Sequence, residues 1–367
     1  MSAQKIIRVG IVGVGEIAQT THLPTFQLLS HLYKVTALCD VSPSFLKHGA
    51  TKFGIQKTYT AFSDLIKDPE VDMVMILTAD EYHADYAVQA ADAGKAVFIE
   101  KPMALTHADA KAIIEAEERN KVTIFVGYMR RYAAAYERFK EEVKALKQIQ
   151  YVTVRDIIGM NHFFVGQSGT FPQAFTDFPP DSSADRAARG KALAEAALGA
   201  ERASNPRDLF TYRLLGGLGS HDLSAMRELL GVPKRCIAAS RAQGEGVPLF
   251  ISAMFDYGDF TATYESGIDQ VPDFDAHIEV IGDGKRLKLR YDTPYVKGLP
   301  ISIEKKEADS QGHFVESNIR VTYKDAYTLE LESLHASLTE GKPVKTGPKD
   351  AAQDLIIFDQ IMGAVVN

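Results

Sequence analysis

Residues 6–29, IIRVGIVGVGEIAQTTHLPTFQLL, open on a short β-rich apolar run and pass directly into a stretch whose apolar positions recur at helical spacing. The pattern is strand, tight turn, helix. The turn carries Gly13 and Gly15 in a GxGxxA spacing that ends at Ala18. Two glycines there let the backbone turn sharply and approach a pyrophosphate, whose charge meets amide donors and the positive end of the helix. Gly13, Gly15, Glu16 and Ile17 are therefore the candidate cradle of a dinucleotide.

Working outward, YKVTALCD (33–40), VDMVMILT (71–78), AVFIE (96–100) and VTIFVGY (122–128) read as further buried strands. Between them SPSFLKHGATKFG is a helix opened by Ser42 and Pro43 and closed by Gly54, and Thr106 caps THADAKAIIEAEERN. Five strands alternating with helices call for a parallel sheet covered on both faces. Ligands of such sheets sit beyond the carboxyl ends of the strands, so Asp40, Thr78, Glu100 and Lys101 are expected to border the cofactor crevice. Asp40 can accept hydrogen bonds from ribose hydroxyls and would repel a 2′-phosphate, and no arginine follows to welcome one, so NAD is expected in preference to NADP. A carboxylate opening the next helix is the other reading of Asp40. Pro102 restricts Lys101 to an extended shape, so its ammonium can be aimed. His22 and His83 stand beside these segments, as cofactor contacts or as satisfied histidines near helix ends.

Past residue 128 the grammar changes. YVTVRDIIGM, RCIAASRA, LFISAMFDYGDFTATYES and HIEVIGDGKRLKLRY read as strands joined in part by hairpins at YGD and GDGK. The expected fold class is thus α/β: an N-terminal Rossmann domain over 1–127, then an α+β domain over 128–367 with an open, mostly antiparallel sheet. Residues 163–212 form a long polar insertion with one helix, suited to a lid, an oligomer contact or a surface excursion.

Composition sets the outer limits. At 367 residues, two domains are expected. A net charge of −7 without long runs of one sign leaves no basic face for nucleic acid. The start, MSAQKIIRVG, lacks an extended apolar region, and runs such as MVMIL are too short to span a bilayer, so no membrane association and a cytoplasmic location are expected. Cys39 and Cys236 are isolated and no HExxH occurs, so no metal site is expected.

GVGEIAQTTHLP (13–24), LTADEYH (77–83), ADAGKAVFIEKPMAL (91–105) and VGYMRRYAAAYE (126–137) together resemble the glucose-fructose oxidoreductase, inositol dehydrogenase and rhizopine catabolism family, Gfo/Idh/MocA. EKP after an alternating α/β run is the specific part. The resemblance implies a polyol or sugar held over a nicotinamide, with two catalytic residues, Lys101 of EKP and His221. The histidine belongs to the family's DxxxH stretch, here GLGSH, where Gly217 stands in place of the aspartate. Asp222 with Met226 is the alternative register. Met129 and Arg130 are similar to family residues that face the substrate, although an arginine pair opening a helix is otherwise a solvated face. Asn161 and His162 match polyol-binding positions or, on residue type alone, a turn.

The implied function is NAD-dependent oxidation of a secondary hydroxyl of a sugar, sugar derivative or cyclitol by a homodimer or homotetramer. The alternatives are a non-catalytic NAD-binding regulator of the same fold and a reductase of a non-sugar substrate.

Overall fold

The computed structural model describes residues 5–365; the first four residues, part of the start inspected for a leader, lie outside it. Six strands, β1 (Ile7–Val12), β2 (Tyr33–Cys39), β3 (Lys57–Tyr59), β4 (Met73–Ile76), β5 (Ala96–Glu100) and β6 (Ile124–Gly127), form one parallel sheet in the order β3-β2-β1-β4-β5-β6. This is the doubly wound Rossmann order, with its switch point between β1 and β4. Val9, Ile11 and all four residues of β4 are wholly buried, as strands covered on both faces must be. The five expected strands are all present. The sixth, β3, is a three-residue edge strand, too short to create a readable pattern. Local capping follows the residue chemistry: Ser42 accepts from the Phe45 amide, Thr106 from that of Asp109, and Gly54 takes φ 69°.

The second sheet has eight strands: β7 (Tyr151–Gly159), β8 (Arg235–Arg241), β9 (Phe250–Asp256), β10 (Thr261–Asp269), β11 (Phe274–Gly282), β12 (Lys285–Tyr291), β13 (Ser302–Ala308) and β14 (Phe314–Ile319). Their order is β14-β13-β12-β11-β7-β10-β9-β8, and every pair except β7 with β10 is antiparallel. The GDGK turn is a two-residue hairpin in which Asp283 and Gly284 both take positive φ. Along β9 buried Ile251, Ala253 and Phe255 alternate with exposed Phe250, Ser252 and Met254, so one face packs on a core. The helices Ala134–Lys144, Ser220–Leu230 and Gln353–Ala364 pack against this sheet.

The chain divides into two compact units. One gathers the residues up to 128 with 168–204 and 330–352; the other holds 129–167, 205–329 and the residues from 353 on. Sequence reading suggests one crossing near 127/128, whereas the chain returns to the first unit twice, for reasons that lie in specific contacts. Val126 N donates to Thr346 O at 2.9 Å beyond the β6 edge, and Tyr33 Oη donates to Leu331 O at 2.7 Å. Tyr82 Oη donates to Asp185 at 2.9 Å, and Arg186 and Arg189 pair with Glu81 and Asp85. Hydrogen bonds over such separations leave no periodic trace in sequence.

Candidate functional site

In the first unit, Gly13 sits directly after β1 with φ 90°, where a Cβ would lie 2.7 Å from the Leu77 carbonyl carbon and oxygen. Any side chain there would be both strained and blocked. At Gly15 a Cβ would meet nothing within 4 Å, so that edge of the turn is open. Glu16 and Ile17 start the helical winding, which continues through a π-turn at Ala18–His22. The Gln19 amide braces the turn by donating to Val14 O at 3.0 Å.

Asp40 follows β2. One carboxylate oxygen accepts from Val14 N at 2.8 Å and the other from Ser42 N at 2.9 Å. A carboxylate has about four acceptor positions, so acceptor capacity remains for ribose hydroxyls. Burial pushes this carboxyl up, the Ser42 and Val14 amides pull it back, and Asp177 adds to the rise.

At the end of β4 the Thr78 hydroxyl is buried and finds no hydrogen-bond partner among the described residues. Together with the glycine turn and Asp40, this spare donor fits a dinucleotide. Of the two readings of His83, the geometry matches the satisfied histidine: its two ring nitrogens lie 2.8 Å from Pro102 O and 3.1 Å from Thr78 O, so the buried ring links the ends of β4 and β5. Glu100 is likewise committed internally, with Oε1 2.7 Å from His22 Nε2 and Oε2 accepting from Lys101 N at 3.0 Å. Burial alone would raise its carboxyl, and His22 with Lys101 hold it below the usual range. Glu100 thus braces the backbone of Lys101, which is half-buried and precedes a cis peptide bond to Pro102.

In the second unit, Arg130 lies in the core. The residue is 2% exposed, and its guanidinium donates to Asp222 and Asp156 and lies over the rings of Tyr291 (4.9 Å) and Phe274 (5.7 Å). This is a core ion network and no solvated face. Its partners lie 26 and 92 residues away in sequence, which is why spacing does not reveal them. Met129 beside it is also buried. Asn161 and His162 are exposed in the first turn of the helix Asn161–Val165, just past β7. His221 is half-buried in the first turn of Ser220–Leu230, where its carbonyl accepts from the Ser224 hydroxyl at 3.2 Å. At Gly217 a Cβ would meet nothing within 4 Å, so an aspartate is not excluded there by space. Asp222 does not replace it, since its carboxylate is turned to Arg130.

Residues 7–128 match the family described as oxidoreductases with an NAD-binding Rossmann fold, Gfo/Idh/MocA. Over these residues, about a third of the chain, it is similar to the Gfo/Idh/MocA oxidoreductases. Within the family, inositol 2-dehydrogenase from Salmonella typhimurium is 40% identical over 136 residues, which is 36% of this chain and 40% of that enzyme. The chain therefore aligns with less than half the length of this relative. Solved structures match across both units: levoglucosan dehydrogenase with NADH and levoglucosan (TM-score 0.74, 17% identity, 98% of this chain and 97% of the other), and a mutant 3-ketoreductase from Actinomadura kijaniata with TDP-benzene and NADP (0.73, 15%, 98% and 98%). At such identities these likenesses speak for the fold.

Sequence reading missed Gln173 and Asp177, which meet the glycine turn and the helix after β2. Gln173 pairs with Gln19, and Asp177 with Ser42 and Ser44. Both come from the polar excursion, where no motif marks them. Among the described residues no group of three or more His, Cys, Asp or Glu could hold a metal ion, and no helix is long and apolar enough to cross a membrane.

Proposed function

We propose that this protein is an NAD-dependent dehydrogenase oxidising a secondary hydroxyl of a sugar, sugar derivative or cyclitol. The observation that carries the reading is Lys101 at the carboxyl end of β5, its backbone anchored by the buried Glu100–His22 pair, in a unit built around a glycine turn and Asp40. Gly13, Gly15, Glu16, Ile17, Asp40 and Thr78 would hold the dinucleotide, which when bound supplies the hydride acceptor. Lys101 donates to the substrate oxygen and stabilises its developing negative charge. His221 accepts the hydroxyl proton. Met129, Asn161 and His162 belong to the substrate unit, Met129 as packing. The exposed face of the eight-stranded sheet, where Ile237 is 47% and Met254 41% exposed, is the surface through which subunits would pair.

The test is absorbance at the reduced-nicotinamide band with NAD and a panel of inositols, aldoses and glycosides. Reduction with one class names the substrate. Silence across the panel, with NAD binding confirmed by calorimetry, would transfer the reading to a regulator, which Gly217 in the aspartate position favours, or to a reductase of a non-sugar substrate.

Asp40→Ala is expected to weaken NAD binding about tenfold or more, because charged hydrogen bonds to ribose are lost and the Val14 and Ser42 amides lose their acceptor. Calorimetry reads this directly. An unchanged Kd would remove Asp40 from the ribose site.

A further inference from the structure

The excursion packs on the cofactor end of the first unit through a chain of specific contacts. Gln173 N donates to Gln19 Oε1 at 2.9 Å, and Gln19 Nε2 donates back to Gln173 O at 3.0 Å while also holding Val14 O of the glycine turn. Phe175 meets Phe45 edge-on at 5.1 Å and His48 at 5.9 Å, and Phe178 lies 6.1 Å from Phe45. Between those two phenylalanines stands Asp177. Its carboxylate accepts from Ser42 Oγ at 2.5 Å and from Ser44 N at 3.0 Å, at the start of the eleven-residue helix Pro43–Phe53.

That position matters for the choice between two dinucleotides. NADP differs from NAD by a phosphate on the adenosine ribose, the sugar that Asp40 would hold. The natural donors for such a phosphate are the hydroxyl and amides that open the helix after β2. Here the Ser42 hydroxyl and the Ser44 amide are already occupied by a carboxylate, and Asp40 and Asp177 bring two negative charges to one short stretch of chain. A doubly charged phosphate would have to displace one and face both.

We propose that Asp177 is a cofactor-specificity residue: delivered by the excursion, it fills the anion position at this helix start and excludes a 2′-phosphate. Cofactor choice is then set by a segment outside the Rossmann motif, together with Asp40. The inference rests on the dinucleotide reading above and deepens it.

The test measures Kd for NAD and for NADP by calorimetry in the wild-type protein, Asp177→Asn and Asp177→Lys, with a melting curve for each. The Kd ratio of NADP to NAD is expected to fall about tenfold or more in the Asn variant and further in the Lys variant, following the charge. A purely packing role for Asp177 weakens both nucleotides by one factor and leaves the ratio where it was, which overturns the proposal. If the Lys variant does not fold, the Asn variant alone decides. Wild-type protein that binds NADP as tightly as NAD also overturns it. Wild-type protein that binds neither nucleotide fails the dinucleotide reading itself, and this inference with it.

Discussion

Lys101→Met is expected to lower kcat about a hundred- to a thousandfold, the usual cost of removing one preorganised donor to a developing oxyanion. Methionine keeps the length and apolar stem of lysine and deletes the charge. The Glu100 contact is to the backbone amide of residue 101, so it survives the substitution, and with it the strand end. NAD binding is expected to remain measurable by calorimetry while hydride transfer, followed by absorbance in rapid mixing, nearly disappears. The direction of the loss matters: a fall in kcat with kcat/KM falling in proportion marks an interaction made in the transition state. Full activity in the variant would remove Lys101 from the mechanism and leave EKP as a structural corner.

The second large effect is on stability. Arg130→Met is expected to cost about 3–5 kcal/mol, because it leaves Asp156 and Asp222, both wholly buried, without their cation. Burial pulls the Arg130 guanidinium down, and its two carboxylate partners more than restore it, so it stays charged. Burial, opposed by Arg130 and reinforced by Asp156, pushes the Asp222 carboxyl well above the usual range. The sign of the pH dependence follows. A carboxyl raised in the folded state favours the protonated form there, so stability falls as pH rises from the ordinary carboxylate range. Without Arg130 the rise steepens, and the deficit of the variant is expected to grow with pH and shrink in acid. Denaturant titrations of the two proteins at several pH values read this. A variant as stable as the wild type at neutral pH would show that the network contributes nothing net to the fold.

Activity of that variant separates the two readings of MRRY. A donor to substrate would show chiefly as a raised KM in a protein of normal stability, whereas a core pair shows as instability first. Arg131 is expected to behave like its neighbour, since it is 1% exposed and its Nε donates to Glu228 at 2.5 Å.

Much of this protein is local, and what is local was readable. Gly13 with φ 90°, the Ser42 and Thr106 caps, the Asp283–Gly284 hairpin and the fully apolar β4 all express rules that act over a few residues, and strand and helix periods then set the fold class. The order of the parallel strands follows from them because right-handed crossovers leave few alternatives. The candidate lysine was legible for the same reason, standing at a strand end before a proline.

What only the tertiary structure decided concerns side chains whose partners lie far along the chain. Arg130 reads as a surface cation until Asp156 and Asp222 are brought around it, and burial then makes pairing obligatory. His83 and Glu100 stand where a ligand is expected, yet carbonyls, an imidazole and an amide claim them first. Asp177 lies in a polar stretch without period, 135 residues from the serine it holds. Sequence period reports which face of an element is apolar. It carries no information about which polar group a distant fold will place within 3 Å, and that is where this crevice is made.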